Sequence, residues 1–196
     1  MDPDRDLIWC SAVCHYCAIA CEIDFHQAWD ADVNRSATRT RLSVCLCPSQ
    51  TDPTARDSAW TTYVGIAGVG RDSARIPDFH PPLDVTRDPN AGIFGYDRWT
   101  SRNDITAGIA ERLMVVETMR ANGPWAQGGP STVRDIDPDD NPPIGHRRPF
   151  GGLHLSGAFV LFADGHADFV SDSVQPAVWQ DWARINVEHT AGRKER

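Results

Sequence analysis

Three histidines, His146, His154 and His166, lie near Asp164 and Asp168 in the sequence, and side chains of these two types can bind metals or transfer protons. His166 and Asp168 stand two positions apart, so on one strand they share a face and form a candidate metal pair. His154 precedes Asp164 by ten positions. If most of that interval is extended, the two residues lie roughly 30 Å apart at ~3.3 Å per residue. The spacing therefore argues against a catalytic dyad. The alternative is that Asp164 and Gly165 form a turn, because aspartate and glycine are both favoured in turns.

A β-hairpin is predicted around Asp164-Gly165. The apolar run Ala158–Ala163 is the first strand and His166–Ser171 is the second. Asp-Gly is a strong signal for a two-residue turn, because such a turn needs positive φ at both positions. This register places Val160 opposite Phe169 and predicts one buried apolar face. The predicted buried residues are Ala158, Val160, Phe162, Ala167 and Phe169.

Four cysteines near the N-terminus, Cys10, Cys14, Cys17 and Cys21, share one face of a helix predicted over residues 7–22. Free cysteine commonly packs as a small apolar side chain, and this is our interpretation. The spacing of Cys10, Cys14 and Cys17 also looks like the cluster motif of radical S-adenosylmethionine enzymes, in which three thiolates hold a [4Fe–4S] cluster. The strand–helix series of those enzymes does not follow. The same residues with His15 could bind zinc, although only the Cys14–Cys17 pair has the usual spacing.

The composition limits the class of protein. The chain has 196 residues, 41% of them hydrophobic, and a formal net charge of -8. It is long enough for a single domain over 1–196 with a full core, and the acidic charge disfavours nucleic acid as a partner. No apolar stretch is long enough for a membrane span, and the acidic start lacks the basic residues of a signal peptide. We therefore expect no export signal and no direct membrane insertion by this chain.

The hydrophobic pattern predicts strands at residues 42–47, 60–67, 92–96 and 112–118, and a last helix after Ser173. The connections 68–90 and 122–150 are long and irregular. Asp135–Asn141 is acidic, but it lacks the glycine and the distal glutamate of a calcium loop. Cys47 precedes a proline and has no base partner that the sequence makes evident, so no nucleophile is predicted.

Several separated segments together resemble the prepilin-type, processing-associated H-x9-DG proteins, a family of unknown molecular role. The segments are Arg41–Ser49, Tyr63–Gly68, Gly92–Gly95, Leu113–Glu117, Gly123–Trp125 and Phe150–Gly165. The resemblance implies a pilin-like α+β fold: an N-terminal helix, an antiparallel sheet and long loops. It implies a cell-envelope location and no enzymatic activity. In the H-x9-DG signature (His154, Asp164 and Gly165) the three residues are then structural.

The chain departs from this family at two places. The basic leader and long apolar helix of a prepilin are missing, so residues 1–22 are expected to be a divergent helix before a head at 23–190 and a tail at 191–196. The family's polar turn before the fourth segment is replaced by Ala107–Arg112. We predict a non-enzymatic head domain without a cofactor, acting through protein partners or self-assembly. The alternative is a metal- or Fe–S-dependent enzyme using Cys10, Cys14 and Cys17.

Overall fold

The computed structural model describes residues 19, 22–52, 59–80 and 88–186. The fold is α+β, with a five-stranded mixed sheet and short helices. The elements in chain order are α1 (Arg35–Thr38), β1 (Tyr63–Val69), β2 (Leu113–Glu117), β3 (Val133–Ile136), β4 (Gly157–Phe162), β5 (Ala167–Ser171) and α2 (Pro176–Ala183). The predicted N-terminal helix with Cys10, Cys14 and Cys17 lies outside the described residues.

The strands are ordered β3-β1-β2-β4-β5 across the sheet. β1 is buried along nearly its whole length because it has neighbours on both sides and cover on both faces. The pairs β1–β2, β2–β4 and β4–β5 are antiparallel, whereas β3 runs parallel to β1. The prediction of an antiparallel sheet is therefore wrong at the β3 edge, where the pairing is parallel. β3 is not predicted from the sequence, because a strand of four residues within a Pro- and Gly-rich connection is too short to show a clear hydrophobic pattern.

α2 covers the inner face of the sheet. Its first residue is Pro176, where the missing N–H has no intrahelical partner to lose. Trp179 and Ala183 face the sheet and are fully buried. The Trp179 ring meets the edge of Phe150 at 5.8 Å between centroids. Burying a side chain such as that of Phe150 stabilises the fold by about 1.5–3 kcal/mol. The packing of Trp179 on Phe150 therefore holds α2 against the sheet.

The predicted hairpin is present, but its register differs by one residue. Phe159 pairs with Phe169, and Val160 pairs with Asp168. The turn has three residues, because Gly165 N–H donates to the Phe162 carbonyl at 3.0 Å and Phe162 N–H donates to the His166 carbonyl at 2.9 Å. Gly165, the last residue of this turn, lies in the left-handed region, with φ +94°.

That shift of one residue moves every side chain of β5 to the opposite face. Val170 is buried on the inner face with Val160 and Phe162, whereas Phe169 is 40% exposed on the outer face. The prediction that Phe169 and Ala167 belong to the core is therefore wrong, and Val170 takes that place. The ring of Phe169 instead meets Phe159 edge-on at 5.2 Å.

Two other predicted strands are not formed. Residues 42–47 contain a single 3-10 turn, Ser43–Cys45, between extended residues. Residues 92–96 are irregular, because Gly92 and Phe94 donate single hydrogen bonds to β1 without forming a regular pair. Phe94 lies on the outer face over Gly65, whose missing side chain leaves room for the ring: a Cβ there would stand 2.6 Å from it.

A half-buried histidine joins the loops that border this part of the sheet. His80 Nδ1 lies 2.6 Å from an oxygen of Asp78, and its Nε2 lies 2.9 Å from one of Asp104. The Trp99 ring stacks on the imidazole at 3.6 Å. Burial alone would lower the pKa of His80, but the two carboxylates outweigh it and raise that pKa. The pKa values of Asp78 and Asp104 are lowered, since hydrogen bonds from the histidine, and in Asp104 from Ser101, offset the opposing effect of burial.

We predict that His80→Gln lowers the free energy of unfolding by about 1.5–3 kcal/mol near pH 6, because hydrogen bonds between ionised groups are lost. A raised histidine pKa stabilises the fold below the unfolded pKa of about 6.5, and that stabilisation disappears as pH rises through the folded pKa. The lowered pKa values of Asp78 and Asp104 give stabilisation above about pH 3.8 that is lost in acid. Urea unfolding of both proteins from pH 4 to 9 measures the difference. A difference that stays constant up to pH 9 would contradict the assignment.

We predict that Gly165→Val lowers the free energy of unfolding by about 1–3 kcal/mol, because a β-branched residue is strained at positive φ. Apart from Gly165 and its two chain neighbours, no atom of the described residues lies within 4 Å of the position a Cβ would take, so backbone strain is the cause and steric overlap is not. Gly165→Asn is the matched control, since asparagine tolerates this conformation. Thermal unfolding of the two variants tests this, and equal melting temperatures would contradict it.

Candidate functional site

Three potential ligand side chains converge at one end of the outer face. They are Cys47, Glu117 and His154, and their sulfur, oxygen and nitrogen atoms all lie within 4.8 Å of one another. His154 Nε2 is 3.4 Å from Cys47 Sγ and 3.3 Å from Glu117 Oε1. We call these three residues the Cys–Glu–His cluster. Among the residues that the structure describes, no other group of three His, Cys, Asp or Glu side chains places one potential ligand atom from each within 4.8 Å of the other two.

Cys47 is positioned by the 3-10 turn before it and by β1. The Thr62 N–H donates to the Cys45 carbonyl at 2.8 Å, and the Cys47 N–H donates to the Thr62 hydroxyl at 2.7 Å. These bonds attach the segment 45–47 to the residue that precedes β1. The Cys47 side chain is buried. Cys47 and Cys45 are both free thiols.

Glu117 ends β2, opposite Tyr63 of β1. Its carboxylate is 3% exposed and accepts a hydrogen bond from the Phe159 N–H of β4 at 2.9 Å. The Glu117 carbonyl accepts another from the Gly151 N–H at 2.7 Å. The residue therefore joins β2, β4 and the glycine loop before His154. A buried carboxylate needs such partners, because an unpaired charge is costly to bury.

His154 reaches the cluster from the loop that leads into β4. It forms an isolated bridge with Gly157, so the chain turns back on itself between them. The imidazole meets the rings of Phe159 and Phe169 edge-on, at 5.1 Å and 6.4 Å. The polar contacts of its ring are with the side chains of Cys47 and Glu117.

The electrostatics of the cluster keep the thiol protonated at neutral pH. Burial, together with the Glu117 carboxylate, raises the pKa of Cys47, and the N–H and hydroxyl of Ser49 oppose this in part. Burial raises the pKa of Cys45 to about 11. The pKa of Tyr63 is also raised, by burial and then by the negative charges of Cys47 and Glu117. An activated nucleophilic cysteine requires a lowered pKa, so this environment disfavours thiolate chemistry.

A cleft of about 410 Å³ opens over the cluster. Its walls are mainly apolar, and the polar groups of the cluster stand at one end. The lining residues that matter here are Pro48, Tyr63, Val115, Phe159 and Leu161. Concave apolar sites with a few polar groups are the usual form of binding sites.

The other predicted site residues do not join the cluster. His166 Nδ1 lies 2.6 Å from Asp164 within the turn, and Asp168 accepts a hydrogen bond from the Phe169 N–H at 2.7 Å. His166 and Asp168 are exposed, and neither belongs to a three-ligand group in the described part of the chain. The backbone N–H and then the ring of His166 lower the pKa of Asp164. The predicted ligands Cys10, Cys14 and Cys17 lie outside the described residues.

The acidic run is engaged with protein groups. Asp135 accepts hydrogen bonds from the Ser73 hydroxyl at 2.9 Å and the Ala74 N–H at 2.7 Å. Asp137 pairs with Arg71, and Asp140 pairs with Arg148. Three of the four aspartates in this run therefore have protein partners.

Nothing in the residue spacing identifies Cys47 and Glu117 as partners of His154. One signal was present, because the three residues fall in three of the six segments that carry the family resemblance. Spacing alone could not place them together, since Cys47 and His154 are separated by 107 positions.

Searches against protein families, curated proteins and solved structures find no match to this chain. Within the described residues, no helix is both long enough and apolar enough to cross a membrane.

We predict that Glu117→Gln increases the rate at which Cys47 is alkylated by iodoacetamide at pH 8, by about threefold or more, because a cause of the raised thiol pKa is removed. Peptide mass spectrometry in chelator-containing buffer measures the rate at each thiol. Cys45 is the internal control, since its pKa is raised by burial alone and its rate should not change. A Cys47 rate unchanged by the substitution would contradict the electrostatic coupling.

Proposed function

We propose that this chain is a non-enzymatic, pilin-like head domain of the cell envelope that acts by assembling with further copies of itself. The resemblance to the H-x9-DG proteins supports the pilin-like part of the proposal. The observation that carries the assembly part is an exposed aromatic surface on the outer face of the sheet.

This surface, the outer ridge, consists of Leu155, which follows His154 in the chain, and of Phe159 and Phe169, whose rings both meet the His154 ring edge-on. They are 94%, 45% and 40% exposed. The outer faces of antiparallel strands are usually polar, and apolar side chains grouped on a surface commonly mark an interaction site. Aromatic residues are also enriched at protein interfaces.

The outer ridge lies next to the cleft, and this arrangement favours a second copy as the partner. Phe159 belongs to both, because it lines the cleft together with Leu161 and is also exposed on the ridge. Two copies related by a two-fold axis can each place a ridge over the cleft of the other. Such a self-complementary patch is what a symmetric dimer interface requires.

The cluster chemistry supports a structural role over catalysis. A thiol whose pKa is raised, next to a buried carboxylate, is poorly suited to nucleophilic attack. Cys47, Glu117 and His154 come from three separate segments of the chain and hold them against one another. In the proposed head domain these residues stabilise the surface that assembles.

We predict that Leu155→Asp weakens self-association at least about tenfold, since a charge would have to be buried at the interface; tenfold corresponds to about 1.4 kcal/mol. Sedimentation velocity over a concentration series measures the association constant. Phe25→Ser is the matched control, because Phe25 is a large apolar residue, 81% exposed, in the segment before α1. Both variants should keep the wild-type melting temperature.

Wild-type protein that stays monomeric at all concentrations, or equal association of Leu155→Asp and Phe25→Ser, would contradict assembly through the outer ridge. The proposed location has its own test. The tagged chain, expressed in cells, should fractionate with the envelope, and recovery in the cytosolic fraction alone would contradict it.

A further inference from the structure

Two of the three separations between ligand atoms in the Cys–Glu–His cluster match those of a tetrahedral metal site, and the third lies below 4.8 Å. Zinc binds sulfur at about 2.3 Å, imidazole nitrogen at about 2.0–2.1 Å and carboxylate oxygen at about 2.0–2.2 Å. With tetrahedral angles, these lengths separate sulfur from nitrogen by about 3.5 Å and nitrogen from oxygen by about 3.4 Å. The observed separations are 3.4 Å and 3.3 Å.

The direction of the imidazole is the second observation. One nitrogen, His154 Nε2, faces both the sulfur of Cys47 and the carboxylate of Glu117. A neutral imidazole carries one proton on this nitrogen, which can point at only one of the two groups. The contact with the carboxylate, at 3.3 Å, is longer than a normal N–H···O hydrogen bond of 2.7–3.2 Å. A cation between the three atoms satisfies all of them at once.

The charge of the site is the third observation. Glu117 is buried, and no Lys or Arg side chain pairs with it among the residues the structure describes. A thiolate and a carboxylate together supply two negative charges, which a divalent cation neutralises. The mixture of sulfur, nitrogen and oxygen ligands suits Zn²⁺ and does not suit Mg²⁺ or Ca²⁺, which prefer oxygen alone.

We propose that Cys47, Glu117 and His154 form a Zn²⁺ site whose fourth position is directed at the cleft. Binding converts the Cys47 thiol into a zinc thiolate and releases its proton to solvent. The Phe159 N–H that donates to Glu117 orients one ligand, and the Phe159 and Phe169 rings fix the plane of the imidazole. The cation joins the segment after Ser43–Cys45 to β2 and to the loop before β4.

The experiment must separate this site from the N-terminal cysteines. A variant with Cys10, Cys14, Cys17 and Cys21 all replaced by serine removes those ligands, and it serves as the background. The protein is stripped with a chelator under reducing, anaerobic conditions. Zn²⁺ is then titrated by calorimetry, and Co²⁺ is titrated by absorption to detect a thiolate-to-cobalt charge-transfer band.

We expect the background variant to bind one equivalent of Zn²⁺ with proton release. Loss of an outer partner of a metal ligand typically weakens binding 10–100-fold, so loss of a ligand should weaken it by more than about 100-fold. Cys47→Ser, Glu117→Gln and His154→Gln test the three ligands. Cys45→Ser and His166→Gln are the matched controls, and both should bind as the background does and keep the cobalt band.

Circular dichroism establishes that each variant is folded before titration, and Glu117→Gln preserves the shape of its side chain if the other two variants do not fold. Absence of saturable Zn²⁺ binding by the folded background variant would overturn the proposal. So would unchanged affinity in Glu117→Gln, or loss of the cobalt band in Cys45→Ser. The result does not depend on whether the chain self-associates, since the site lies within one copy.

Discussion

The buried carboxylate of Glu117 is the constraint on which the arrangement of this sheet depends. It stands at the end of a central strand, where removing a negative charge from water is strongly unfavourable unless polar groups surround it. The protein surrounds it with the Phe159 N–H of β4, the imidazole of His154 and the thiol of Cys47. Each partner comes from a different segment. Packing and polar satisfaction therefore have to be achieved together, and a segment that moved away would leave a charge without compensation.

The elements with a strong local signal could be predicted from the sequence. β1, β2, the hairpin β4–β5 and the helix that begins at Pro176 all lie where the hydrophobic pattern predicts them. The register of the hairpin could not be predicted in the same way. Asp-Gly fits a two-residue turn, but here Ala163 joins the turn and Gly165 alone takes the left-handed conformation. The local sequence allows both turns, and the inner face that buries Val170 decides between them.

The site was predictable in part only. His154 draws attention through its position between glycines and the apolar strand, and the resemblance gives it a structural role. Its partners are determined by tertiary structure, because β2 has to lie beside β4 and the segment before β1 has to lie at their ends. No periodicity within one segment contains that information. The residue types gave one hint, because a thiol, a carboxylate and an imidazole can form polar contacts with one another.

The parallel pairing of β3 with β1 has a consequence for how the chain folds. β1 is the first of these strands to be synthesised, but its two neighbours, β2 and β3, come later in the chain. The other edge of β2 is paired only by β4, which comes later still. Contacts between such distant positions require large loops to close before any apolar surface is gained, which slows folding. On the ribosome, β1 emerges with both of its edges unpaired and stays so until much of the chain has followed. The native sheet therefore forms late in synthesis or after release, during a period in which an apolar strand is open to wrong partners.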